Sequence, residues 1–233
     1  MNGIVNLAIA TGAFVGSHLL LSHPLRAPIV ARLGERGFMG AYSLAALTTF
    51  GWLIWARLGV ESLPTLWVAG RGVWDLATLV MLFASILLAG SFIGNPAAPD
   101  PNVPTGPIPP ARGVFAITRH PMMWSFVIWA IVHIALWGSP ANLIISGGIL
   151  ALAFFGMIGQ DSKKLALQGE RWRDWMDRTA FFPFAGQIGG RIPWTFARLG
   201  WGVVFGGLVI FLGATWMHGW LGAPAAGIWR WIG

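Results

Sequence analysis

Six apolar runs, each close to the length a helix needs to cross a bilayer, alternate with short polar segments along the chain. They fall at roughly 3–22, 38–58, 72–94, 121–138, 141–160 and 196–217. A helix rises about 1.5 Å per residue, so about 20 residues cover the ~30 Å of hydrocarbon. The run at 121–138 is the shortest, and the segment Gly113–Arg119 before it could lengthen it. Of 233 residues, 56% are apolar and only 10% are charged, with 15 Trp. That leaves too few polar side chains to solvate a globule. The expected fold is all-α, a polytopic membrane helix bundle of about six transmembrane helices in a single integral membrane domain, residues 1–233.

Twelve of the 15 Lys and Arg residues lie on one side of these runs: Arg26, Arg32 and Arg36, then Arg112 and Arg119, then Lys163, Lys164, Arg171, Arg173, Arg178, Arg191 and Arg198. The other side carries Arg57, Arg71 and Arg230. Positive charge marks the cytoplasmic face, so both termini are expected outside, in a bacterial-type inner membrane. The net charge of +7 is then a topology signal. No segment resembles a nucleic-acid module, and no nucleic-acid partner is expected. The first run lacks a charged leader and a small-residue cleavage site, so it is expected to stay as a helix. Without cysteine there are no disulfides, thiolate ligands or covalent haem links, and any metal must bind nitrogen or oxygen.

Two polar segments stand out on the basic side. The loop 95–112 holds prolines 96, 99, 101, 104, 107, 109 and 110, which forbid regular helix and fit an extended strap or a plain linker. The segment 161–194 opens with Leu165, Trp172 and Trp175 spaced among charges, a pattern expected of an amphipathic helix on the inner membrane surface. Gly200, Gly202, Gly206, Gly207 and Gly213 in the last run predict close helix packing.

Chemistry in this chain concentrates in its histidines. His18 and His133 lie inside apolar runs, and His120 stands at the mouth of the fourth, in Ile117-Thr118-Arg119-His120-Pro121. Ionisable side chains in hydrocarbon are costly and are functional candidates by default. His23, before Pro24, is expected to be solvated at the boundary, and His218, between Trp216 and Trp220, to be interfacial. His18 and His133 each need a partner, either a hydrogen bond in the core or a metal. Helical rise places them ~12 Å apart in depth, a gap that tilt, an uncertain boundary or a break at Gly12 or Gly16 would have to close. Side chains lean toward their own helix N-terminus, which narrows that gap on antiparallel helices. Two imidazoles facing across one metal suit haem iron best.

The stretch Gly113-Val114-Phe115-Ala116-Ile117-Thr118-Arg119-His120-Pro121, followed by His133 and Trp137-Gly138, resembles the NnrU family, which includes the plant and cyanobacterial zeta-carotene isomerases. The likeness extends to Leu33-Gly34-Glu35-Arg36-Gly37, Tyr42-Ser43-Leu44, Asp161, Thr179 with Phe182-Pro183-Phe184, and His218. The isomerase branch implies cis–trans isomerisation of a linear carotene at a redox-controlled haem b. It also implies His18 and His133 as iron ligands, an apolar polyene drawn from the bilayer, and a redox partner. Ala130 stands where that branch has a cysteine, so no thiolate ligand is available here. Bacterial members are associated with denitrification, which makes an accessory role in nitric oxide metabolism the alternative. In either case Arg119 and His120 would meet haem propionates at the rim, or serve as a headgroup anchor and helix cap.

The same motif also resembles membrane methyltransferases of the isoprenylcysteine and phospholipid type. Asp161, Leu165, Gly169, Trp172, Trp175 and Arg178 follow that spacing, with tryptophans where those enzymes have tyrosines. That likeness would have Arg119 and His120 hold S-adenosylmethionine, and it gives His133 no role.

Overall fold

The computed structural model describes residues 2–61, 63–98 and 106–232, and no β-strand occurs among them. Three helices open the chain: α1 (Gly3–Ser22), α2 (Arg26–Leu58) and α3 (Arg71–Ser91). Asn2 caps α1 by accepting from the amide of Ile4 at 3.1 Å, satisfying one of the amides a helix start leaves free. The second apolar run is longer than its hydropathy suggests, because α2 begins at Arg26 and turns at Gly34, whose φ of 69° suits a residue without Cβ. Arg26 and Glu35 pair across this turn at 2.7 Å.

The short α4 (Val114–Ile117) does not run on into α5 (Pro121–Leu136). The fourth run is therefore not lengthened through Gly113–Arg119, the option its sequence left open. Pro121 restricts the residue before it, and Thr118 is extended at φ −156°. The backbone freed there bonds elsewhere: Arg119 donates its amide to Ala180 at 2.9 Å, and Ile117 accepts from Phe184 at 2.9 Å. Among the described residues five helices are long and apolar enough to cross a membrane, and α5, with 16 residues, is the short one.

Ser139 and Pro140 start α6 (Pro140–Gln168), which continues unbroken past the apolar run into the charged segment. It is followed by α7 (Glu170–Arg178) and the single turn α8 (Ala185–Ile188). The amphipathic stripe of α7 faces the protein and not a membrane surface: Trp172 is 0% exposed and Trp175 2%. They pack with Phe115, Ile117 and Leu87, and with Ala97, Ile108 and Ala111 from the proline-rich loop. That loop is thus tied down at both described ends, with Lys164 donating to Ala98 at 3.1 Å and Arg178 to Ile108 at 3.1 Å. Pro99, Pro101 and Pro104 lie outside the described residues.

The chain closes with α9 (Trp201–Trp220) and α10 (Trp229–Ile232). Within the bundle, α1 packs on α2 and α6, α5 on α3 and α6, and α9 on α3. Gly207 sits where α9 crosses α3 most closely, and a Cβ there would come within 2.6 Å of Ile86 Cα. Gly200, Gly202 and Gly213 face open space and serve no such contact.

Candidate functional site

At the Arg-rich end, the break before α5 swings Arg119 and His120 onto α6. Arg119 brings Nε to 2.8 Å and Nη2 to 2.7 Å from Oδ2 of Asp161. Oδ1 of the same carboxylate accepts from Trp172 Nε1 at 3.2 Å, and His120 Nε2 lies 3.1 Å from it, out of line for a hydrogen bond. Gln160 Oε1 is 3.2 Å from His120 Nδ1. Phe181 covers the cluster, with Arg119 over its ring at 5.3 Å and His120 edge-on at 5.5 Å. A buried charge is tolerated when paired and hydrogen-bonded, and each member here supplies part of that. Arg119 and His120 are therefore engaged with Asp161 inside the protein.

His18 makes its contacts within the first helix pair. Its Nδ1 is 2.8 Å from the Phe14 carbonyl, and its ring packs on Phe14 at 4.3 Å and edge-on to Tyr42 of α2 at 5.5 Å. His23, expected in solvent, instead presses its ring on Gly159 of α6, where a Cβ would overlap it. Its Nδ1 is buried without a partner. Burial, and then the charge of Lys163, hold its pKa below the ordinary 6.5.

His133 lies one turn from the far end of α5. Its Nδ1 is 2.8 Å from the Trp129 carbonyl and its ring stacks on Trp129 at 4.0 Å. The next ring is His218 of α9, at 6.1 Å between centroids and 20° between planes. His218 in turn sets Nδ1 3.3 Å from the Thr215 carbonyl. The helix end around His133 is held firmly: Asn142 donates to the carbonyls of His133 at 2.8 Å and Trp137 at 2.5 Å, and Trp67 Nε1 donates to Ile134 at 3.1 Å.

The structure does not bring His18 and His133 together. Helix α6 serves as a ruler, since His133 is level with Asn142 and His23 with Gly159. Those levels are about 26 Å apart, and His18 lies about 8 Å back along α1, leaving about 18 Å in depth between the two backbone positions, a gap that both rings narrow by leaning back one turn toward each other. Nor does α1 break at Gly12 or Gly16. The next ring beside His133 is instead His218, whose Trp neighbours in the sequence suggest a membrane boundary. The signal for it in the sequence was that the family likeness extends to His218.

These elements define a multi-pass helical membrane protein with ionisable clusters at both ends of its bundle. The chain belongs to the NnrU family: the family model described as "NnrU protein" matches residues 6–225. It is similar to the protein named 15-cis-zeta-carotene isomerase, chloroplastic, of Zea mays, at 35% identity over 79 residues, 34% of this chain and 22% of that protein. The protein of the same name in Arabidopsis thaliana is 32% identical over 79 residues, again 34% of this chain and 22% of the relative. The matched stretch thus spans about a fifth of each relative. No solved structure matches the chain.

Proposed function

We propose that this protein is a carotene isomerase-like enzyme that takes a linear polyene from the bilayer and turns one of its cis double bonds to trans. The observation that carries this is a groove of about 480 Å³ between α5 and α6, lined by Trp124, Val127, Ile131, Leu150, Phe154 and Phe155 without a charged side chain. Ile131 is 51% and Phe155 56% exposed, so the groove opens sideways, toward lipid rather than water. From Gly147 to Phe155 it follows about 12 Å of α6, enough for the middle of a long polyene whose ends remain in the bilayer. Trp124 donates its indole N–H to Phe181 at 2.8 Å, so the ring offers the groove a face and no donor. Aromatic walls of this kind hold a flat conjugated chain by stacking. The relationship to the isomerases supports the same reading.

Haem b is the cofactor in this proposal, together with a redox partner that sets the iron's oxidation state. Bound reduced iron would supply the electron density that lowers π-bond order in a polyene. The residues implied for it are His18 and His133, and His133 lies on the face of α5 opposite the groove, so bound haem would act on the polyene through α5 rather than by direct contact. The contribution of the groove is to bind and align the polyene and to exclude water.

The test is isomer analysis of a cis carotene incubated with haem-loaded protein in lipid vesicles, beside a Leu150→Trp variant that fills the groove. Conversion by the wild type and its loss in the variant are expected. Absence of conversion by wild type, under both reducing and oxidising conditions, overturns the proposal.

A further inference from the structure

We infer that Arg26 and Lys163 form a binding site for the phosphate of an anionic phospholipid at the Arg-rich face of the membrane, shaped by the turn of α2 at Gly34. The stretch Leu33-Gly34-Glu35-Arg36-Gly37 has no part in the carotene reading. His23 seats the junction of α1 and α2 on α6, with its ring against Gly159. Lys163 stands one helical turn beyond Gly159 on the same face of α6, so the start of α2 comes to lie beside it. The turn at Gly34, with φ 69°, folds Glu35 back on Arg26, whose Nη2 donates to both carboxylate oxygens at 2.7 and 2.8 Å. Phe38, buried on the next turn, carries the guanidinium over its ring at 5.3 Å.

Charge in this cluster does not balance. Lys163 lies close enough to Arg26, Lys164 and Glu35 to feel all three, which sets three cations against one carboxylate. Lys164 donates to the Ala98 carbonyl at 3.1 Å. Lys163, half-buried, makes no hydrogen bond or ion pair among the described residues. Glu35 occupies only Nη2 of Arg26, so Nε and Nη1 are left without a hydrogen bond among those residues. Cations held together and partly out of water repel, and an anion between them relieves that cost. A planar guanidinium edge beside an ammonium point charge is a donor set suited to phosphate. The place selects the source of that phosphate. The cluster sits just past the apolar parts of α1 and α6, at the end of the bundle that carries most of the Lys and Arg. Basic pockets between transmembrane helices at this depth take anionic headgroups. Leu25 and Leu33, next to Arg26 and Gly34, are 43% and 56% exposed and offer apolar surface to acyl chains.

Native mass spectrometry of the detergent-purified full chain, offered equal amounts of phosphatidylglycerol and phosphatidylcholine, tests the site. Wild type and Lys163→Arg are expected to retain phosphatidylglycerol in preference. Lys163→Gln and Arg26→Gln should each weaken that retention about fivefold or more, which corresponds to the ~1 kcal/mol a basic residue contributes at an anionic membrane surface. Arg173→Gln, which removes an exposed cation paired with Glu170 at the same end of the bundle, should bind as wild type does. Arg26→Gln also breaks the pair with Glu35, whereas Lys163→Gln breaks no hydrogen bond and so separates lipid binding from folding; circular dichroism checks that both keep their helix content. Equal retention of the two lipids by wild type, or equal losses in Lys163→Gln and Arg173→Gln, overturns the site. Inorganic phosphate that displaces phosphatidylglycerol at equal concentration overturns the lipid as its source.

Discussion

Arg119 and Asp161, 42 residues apart in sequence, meet through Nε and Nη2 on a single carboxylate oxygen, with each side chain only 10% exposed. This pair joins the start of α5 to the C-terminal part of α6, and Trp172 of α7 completes it from the other side. Breaking a buried ion pair leaves one charge without compensation, at a cost of about 3–5 kcal/mol. Asp161→Asn and Arg119→Ala are each expected to lower thermal stability in detergent by that order. The Arg119→Ala, Asp161→Asn double variant should be less destabilised than the sum of the two. Additive losses would show that the pair is not coupled.

The close approach of α9 and α3 makes a second prediction. A Cβ at Gly207 would meet Ile86 Cα at 2.6 Å and Ile86 N at 2.9 Å, backbone atoms that cannot rotate away. Overpacking of this kind costs about 1–3 kcal/mol. Gly207→Ala should therefore lower the melting temperature. Gly202→Ala and Gly213→Ala, whose new methyl groups meet nothing within 4 Å, should leave it unchanged or raise it slightly, since alanine favours helix. Equal effects at all three positions would contradict this packing.

How far the sequence disclosed these features varies with the kind of information. The six apolar runs were legible because hydropathy is a local property summed over a window. The twist in α2 at Gly34 and the break at Thr118 lie where hydropathy continues and only backbone geometry changes. Trp172 and Trp175 announced an amphipathic helix correctly, but periodicity shows which face is apolar and not what covers it, and the proline-rich loop and α4 cover it here. Asp161 was visible only as a spacing match; its meeting with Arg119 is a long-range contact. The same holds for His133 and His218, whose pairing depends on both α5 and α9 docking on α3. The depth mismatch between His18 and His133 was already apparent from helical rise, and the structure widens it.

His23 gives a pH dependence. Its folded pKa is held below 6.5, first by burial and then by Lys163. The folded state thus binds fewer protons than the unfolded chain. The corresponding stability is fully present above pH 6.5 and is lost as pH falls through that value toward the lowered folded pKa. Wild type should lose thermal stability on going from pH 7.5 to pH 5, and His23→Gln should show a flatter profile over that interval. Parallel profiles for the two proteins would rule out His23 as the source.

The most direct test of the central claim is chromatographic separation of carotene isomers after incubation with haem-loaded protein in lipid vesicles, using a 15-cis zeta-carotene as substrate. The result predicted is conversion of the central cis bond to trans under reducing conditions, lost when Leu150→Trp fills the groove. An unchanged isomer ratio in both redox states, with haem bound and the fold intact, would contradict the isomerase assignment and favour the nitric oxide role.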